Sequence, residues 1–140
     1  MVECTAPPLR QEEKELKRTV LVVEDHFLTR WSAAEYLRYV GFRVIEAVNA
    51  AEAIAIVSCG TDVDLVFSDI NMPGGDNGYA IARWVAKHRP LTPVLLTSGE
   101  PEHPEAYVKG PFCQFVPKPY EVSKVEKLMR LMLAERSNPL

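Results

Sequence analysis

Asp64-Leu65-Val66-Phe67-Ser68-Asp69-Ile70-Asn71-Met72-Pro73 decides the architecture. From Leu65 the run is apolar without alternation, the pattern of a strand buried on both faces, and it ends at Asp69 just before a proline and a glycine-rich loop. A carboxylate therefore stands at the C-terminal tip of a central strand, the edge at which open parallel α/β sheets bind their ligands.

Outward from this strand the chain repeats one unit. Thr19 to Val23 is β-branched and apolar, reads as another central strand, and ends in Glu24-Asp25. A helix of about 27 to 40 follows, with Ala33, Tyr36, Leu37 and Val40 on one face and Gly41 as its stop. Phe42 to Ala47 carries Arg43 and Glu46 and suits an edge strand; Asn49 and Glu52 form a capping box for a helix bearing Ala50, Ala53, Ile54 and Val57. Beyond the Asp69 strand a third helix groups Ile81, Trp84 and Val85 and stops near Pro90. Pro93 to Thr97 is a fourth strand, and Pro101 and Pro104 confine a fourth helix to about 104 to 109. Phe112 to Pro117 is a fifth strand, before a helix of about 120 to 135 carrying Val122, Val125, Met129, Met132 and Leu133. Five strands alternating with five helices predict a doubly wound, flavodoxin-like α/β fold: a five-stranded parallel sheet in the order 2-1-3-4-5 with helices on both faces.

The length of 140 residues suits one domain able to bury roughly two thirds of its unfolded surface. Residues 1–17 hold a mixed-charge run with few apolar groups and read as a flexible arm, 18–136 as the domain, and 137–140 as a tail. Sixteen Lys and Arg against nineteen Asp and Glu, with no basic block, argue against direct nucleic-acid binding. The longest apolar run, Ala53 to Val57, is too short to insert in a membrane, so a cytoplasmic location is expected. The three cysteines lack metal-ligand spacing and read as reduced, structural thiols.

With strands one and three adjacent, Glu24, Asp25 and Asp69 converge. Three carboxylates repel one another, and an oxygen-only set with room for waters and a phosphate favours Mg2+. Taken singly, Glu24 or Asp25 would serve equally as a helix cap. Thr97 and Lys118 end the fourth and fifth strands at the same edge, a hydroxyl and an ammonium that can each hold a phosphoryl oxygen. His26, His88 and His103 read as helix-end residues, and Trp31 and Trp84 as packing groups.

Val22-Val23-Glu24-Asp25, Asp69-Ile70-Asn71-Met72-Pro73, Leu95-Leu96-Thr97-Ser98-Gly99 and Phe115-Val116-Pro117-Lys118-Pro119 together resemble the receiver domain of two-component response regulators, here of the stand-alone, single-domain type. The resemblance covers residues 18 to 136. It implies that Asp69 accepts a phosphoryl group from a histidine kinase or histidine phosphotransfer protein. It further implies that Glu24, Asp25, Asp69 and the backbone carbonyl of Asn71 hold Mg2+, that Thr97 and Lys118 contact the phosphoryl oxygens, and that Lys118-Pro119 is a candidate cis peptide. Thr97 would then move toward the phosphoryl group, and Phe115, at the family's aromatic switch position, either follows it or is simply a core aromatic. The loop Met72 to Gly78 is one residue longer than the family's commonest form, and the short fourth helix disturbs the family's usual dimer surface, so a monomer or weak dimer is expected. Output would pass to a downstream protein by contact or by relay, without enzymatic turnover. The rival readings are a receiver-like scaffold that is not phosphorylated and an aspartate-nucleophile phosphatase, the latter disfavoured because Asn71 stands where that family wants a second aspartate.

Overall fold

The computed structural model describes residues 17–74, 77–100 and 112–137. The chain runs β1 (Thr19–Val23), α1 (Phe27–Tyr39), β2 (Arg43–Ala47), α2 (Ala50–Ser58), β3 (Leu65–Asp69), α3 (Gly78–His88), β4 (Val94–Ser98), β5 (Cys113–Pro117) and α4 (Val122–Ser137). All neighbouring strands are parallel and the order is β2-β1-β3-β4-β5, as the alternation of elements predicts. The expected short helix at 104 to 109, and all of the expected arm at 1–17 except Lys17, lie outside the described residues.

The unbroken apolar character of the central strands has a direct cause. Leu21, Val23, Val66, Val94 and Leu96 face one layer, against Ala53 and Val57 of α2 and Ile81 and Val85 of α3. Val20, Val22, Leu65, Phe67 and Leu95 face the other, against Ala33 and Leu37 of α1 and Val125, Met129 and Met132 of α4. Successive strand residues thus enter two separate cores, each fully buried aliphatic side chain contributing about 1.5–3 kcal/mol.

Local chemistry sets the element ends. Asn49 Oδ1 accepts the Glu52 N–H at 2.8 Å, and Glu52 returns a bond to the Val48 N–H at 3.3 Å, one residue before the cap. Gly41 closes α1 at φ +109°, a left-handed conformation that side chains resist. The cap of α1 is His26, whose side chain accepts from the Thr29 N–H, while Glu24 Oε2 accepts the His26 N–H at 3.1 Å and leaves Oε1 for the cluster. Trp31 departs from the packing role expected of it: it lies on the outer face of α1, 49% exposed, while Trp84 packs against the core and stacks on His88.

Asp64, at the opposite end of β3 from Asp69, lies outside the ladder as a fastening point. Its carboxylate accepts the Thr19 N–H at 2.8 Å and pairs with Arg136 of α4 at 3.0 Å, and Arg136 also donates to its backbone carbonyl at 3.1 Å.

Candidate functional site

Strand register does most of the assembly. Val23 pairs with Ser68 and Asp69 with Thr97, so the residues following β1 and the last residues of β3 and β4 emerge side by side. The start of α3 lies unusually close: a Cβ on Gly78 would sit 2.6 Å from the Asp69 carbonyl oxygen and 2.9 Å from the Ile70 Cα. Only glycine lets the helix backbone approach the tip of β3 this closely.

Glu24, Asp25 and Asp69 each bring a carboxylate oxygen within 4.8 Å of the others. Glu24 and Asp69 are 5% and 7% exposed, whereas Asp25 faces solvent. Lys118 reaches between the buried pair, with Nζ 2.9 Å from Glu24 Oε1 and 3.3 Å from Asp69 Oδ2. The Lys118-Pro119 bond is cis. Burial alone would push the Lys118 ammonium down; the hydrogen bond to Glu24 and the charges of Asp69 and Glu24 outweigh it and hold it above its ordinary range. Asp25 is held above the usual carboxylate range by desolvation, then by its hydrogen bond to Glu24 and that neighbour's charge. One ammonium against three carboxylates leaves the cluster short of positive charge, and an all-oxygen set open to water on the Asp25 side suits a hard divalent cation.

Thr97 is 2% exposed and its Oγ1 has no hydrogen-bond partner, alone in this among the buried side-chain polar atoms of the described residues. A buried hydroxyl without a partner costs about 1–3 kcal/mol, and this one lies beside the charged cluster, free to donate. Asn71 sits in the exposed loop after β3, and its side chain bonds Ser98 rather than the acidic group. Phe115 is half-buried on β5 and packs against the core that contains Leu96, within which it can serve either as filler or as a moving part. The predicted residues Glu24, Asp25, Asp69 and Lys118 thus meet directly, Thr97 adjoins them through the register, and Asn71 and Phe115 occupy the surrounding shell.

Three contributors were not legible beforehand. Arg30 donates to the Glu24 carbonyl at 3.0 Å and pairs with Glu46 of β2 at 3.1 Å, fastening the acidic turn to the edge strand. Its partners lie 6 and 16 residues away, a spacing that no helical period marks. Ser98, one residue past the expected strand end, bonds the Asn71 side chain. Tyr120 lines a small enclosed space together with Glu24, Asp69 and Thr97 and meets Phe67 edge-on at 5.5 Å. Beside the site a cleft of about 490 Å3 opens among Thr29, Ser32, Gly99, Lys118, Pro119 and Tyr120.

A five-stranded parallel sheet in this order, with an acidic cluster, a lysine and a threonine at its C-terminal edge, is the receiver architecture, and the chain belongs to the response regulator receiver domain family, whose model matches residues 20–130. Receiver domains act with histidine kinases or phosphotransfer proteins in two-component signalling. The chain is similar to the sensor kinase CckA of Brucella abortus, at 29% identity over 142 residues that cover 92% of this chain and 15% of that protein, so it spans less than a sixth of that relative's length. In structure it matches a response regulator receiver protein from Sinorhizobium medicae, with TM-score 0.80, 23% identity, and coverage of 86% and 97% of the two chains. It also matches the response regulator protein TrrA of Thermotoga maritima, solved in complex with Mg2+-BeF, with TM-score 0.72, 24% identity, and coverage of 82% and 98%. No helix among the described residues is long and apolar enough to cross a membrane.

Proposed function

We propose that this chain is a phosphoacceptor switch in which Asp69 takes a phosphoryl group from a histidine kinase or a histidine phosphotransfer protein. The observation that carries the reading is the meeting of Glu24, Asp25 and Asp69 with Lys118 bridging the two buried acids. Glu24, Asp25, Asp69 and the backbone carbonyl of Asn71 would hold Mg2+, a reading supported by the oxygen-only donor set and by the Mg2+-BeF complex of TrrA. When bound, Mg2+ supplies positive charge that offsets both the mutual repulsion of the carboxylates and the charge of the incoming group.

An oxygen of the Asp69 carboxylate forms a bond to phosphorus while the donor's phosphorus–nitrogen bond breaks. The electron pair stays on the donor imidazole, which takes a proton from solvent. Such transfers have loose transition states, so the work of the protein is placement and charge neutralisation. Lys118, already in contact with Asp69, is placed to neutralise a phosphoryl oxygen, and Thr97 Oγ1 gains the acceptor it lacks by donating to another. Movement of Thr97 draws the loop after β4 inward, and Phe115, which has no hydroxyl, follows through packing alone. Residues 18–136 form the working domain and 1–17 and 137–140 its arm and tail. The output is a contact with a downstream protein or onward relay of the phosphoryl group, in the cytoplasm, without turnover of a further substrate.

The test is incubation with Mg2+ and acetyl phosphate followed by intact-mass measurement. Covalent phosphoryl label on the wild type and none on Asp69→Asn is the expected result. An unlabelled wild type would leave a binding scaffold, and turnover of a phosphomonoester would indicate a phosphatase.

A further inference from the structure

The polar character of the edge strand β2 reaches into the acidic site. Glu46 divides its carboxylate between two guanidinium groups of α1: Oε1 takes Arg30 Nε at 3.1 Å and Oε2 takes Arg38 Nη2 at 3.1 Å. Arg38 also pairs with Glu35 at 3.0 Å and donates to the Val44 carbonyl at 3.1 Å, so the far end of Glu46 is anchored. Arg30 turns the other way, donating from Nη1 to the Glu24 carbonyl at 3.0 Å, with the Phe27 ring 5.5 Å from its guanidinium. Its side chain is only 12% exposed, and a guanidinium presents its donors in a rigid fork, so bonds on two sides leave it a single position.

The carbonyl that Arg30 holds is the oxygen of the peptide plane joining Glu24 to Asp25. Glu24 itself is otherwise fixed: its N–H donates to the Ala47 carbonyl at 3.1 Å, and its carboxylate is engaged by Lys118 on Oε1 and by the His26 N–H on Oε2. Asp25 faces solvent, so the direction in which its carboxylate leaves the chain depends on that plane. Mg2+ demands nearly ideal octahedral geometry at about 2.0–2.1 Å, and a turn set beforehand binds it more tightly than one that must be ordered on binding. We infer that Arg30 is a positioning residue for divalent-cation binding: braced by Glu46, it fixes the Glu24-Asp25 peptide and so presents the Asp25 carboxylate to the ion. The inference rests on the Mg2+ reading above, and Arg30 acts through the backbone of Glu24. As a bare charge Arg30 would work against this role, because a guanidinium near the cluster repels a cation. Positioning and charge therefore predict opposite signs when Arg30 is removed.

The test is the Mg2+ affinity of the unphosphorylated full chain, measured by calorimetry for the wild type, Arg30→Ala, Arg30→Lys, Glu46→Ala and the double variant Arg30→Ala with Glu46→Ala. Urea unfolding confirms that each variant is folded. Arg30→Ala is expected to weaken Mg2+ binding about tenfold, the lower end of what loss of a residue supporting a metal ligand costs. Arg30→Lys should weaken it nearly as much, since lysine keeps the charge but offers a point where a fork is needed. Glu46→Ala should lose about threefold, because the brace acts only through Arg30, and the double variant should bind no more weakly than Arg30→Ala. Asp64→Ala, at the opposite end of β3, should keep the wild-type affinity within about twofold, which separates loss of positioning from general loss of stability. Should Arg30→Ala fail to fold, Arg30→Lys and Glu46→Ala carry the test. Unchanged or tighter binding by Arg30→Ala, wild-type affinity in Arg30→Lys or Glu46→Ala, effects that multiply in the double variant, or an equal loss in Asp64→Ala would each overturn the positioning role. A wild type that binds no Mg2+ would overturn the metal reading and this inference with it, whereas a wild type that binds it, with the Arg30 variants unchanged, overturns the inference alone.

Discussion

Two aspartates bracket β3, and they live under opposite terms. Asp64, at the lower end, is satisfied on every side: it accepts a backbone N–H, faces a guanidinium, and takes part in backbone pairing with Thr19. Asp69, at the upper end, shares one ammonium with Glu24, lies beside a third carboxylate, and adjoins a hydroxyl that bonds nothing. The same residue type serves the fold at one end and stands in tension with it at the other. Groups whose bonding is complete stabilise a protein; a polar group left incomplete in a buried cluster costs it free energy.

The sharpest way to break this contrast is to remove the one cation of the upper end. Lys118→Ala leaves Glu24 and Asp69 buried face to face with nothing between them. Breaking a fully buried pair costs 3–5 kcal/mol, and with the lysine side chain 26% exposed a loss of about 2–3 kcal/mol is expected in urea unfolding without Mg2+. Added Mg2+ should restore part of that loss, because it replaces the missing positive charge. An unchanged midpoint would mean that the two acids are not held against their repulsion.

At the lower end the expected effect is smaller and purely structural. Asp64→Ala orphans the Thr19 N–H and removes the ion pair with Arg136 of α4, which keeps only its bond to the backbone carbonyl of residue 64. A loss of about 1–2 kcal/mol is expected, with the extent of labelling by acetyl phosphate unchanged. A fall in labelling would show that the two ends of β3 are coupled rather than separate.

The asymmetry between the ends was only half legible in the sequence. Strands and layers could be read because Val20 to Val23 and Leu65 to Phe67 are apolar at every position, a pattern that demands cover on both faces, and the order of strands then brings Glu24, Asp25, Asp69, Thr97 and Lys118 to one edge. Asp64 read merely as the opening of a strand, since its partners Thr19 and Arg136 lie 45 and 72 residues away and no local pattern announces them. Arg30 and Ser98 escaped for the same reason, as their bonds are decided by register and loop path and not by periodicity. Size and apolarity argue for burial of Trp31, whereas its place on α1 turns it outward. The proline-rich segment around Pro101 and Pro104 falls outside the described residues, so its expected helix stays an expectation.

The smallest expected change in stability tests the contrast most finely. Thr97→Val keeps the shape of the side chain and replaces a buried hydroxyl that bonds nothing with a methyl group. Were Thr97 a structural residue like Asp64, its loss would destabilise the fold by about 1 kcal/mol, the net worth of an ordinary hydrogen bond. With no partner to lose and a desolvated hydroxyl removed, the unfolding midpoint should hold or rise, within about 0.5 kcal/mol of the wild type. Phosphoryl labelling should fall nevertheless, since the donor that would meet a phosphoryl oxygen is gone. A marked loss of stability with labelling intact would mean that the Thr97 hydroxyl serves the fold after all, and the two ends of β3 would then differ only in how many charges they carry.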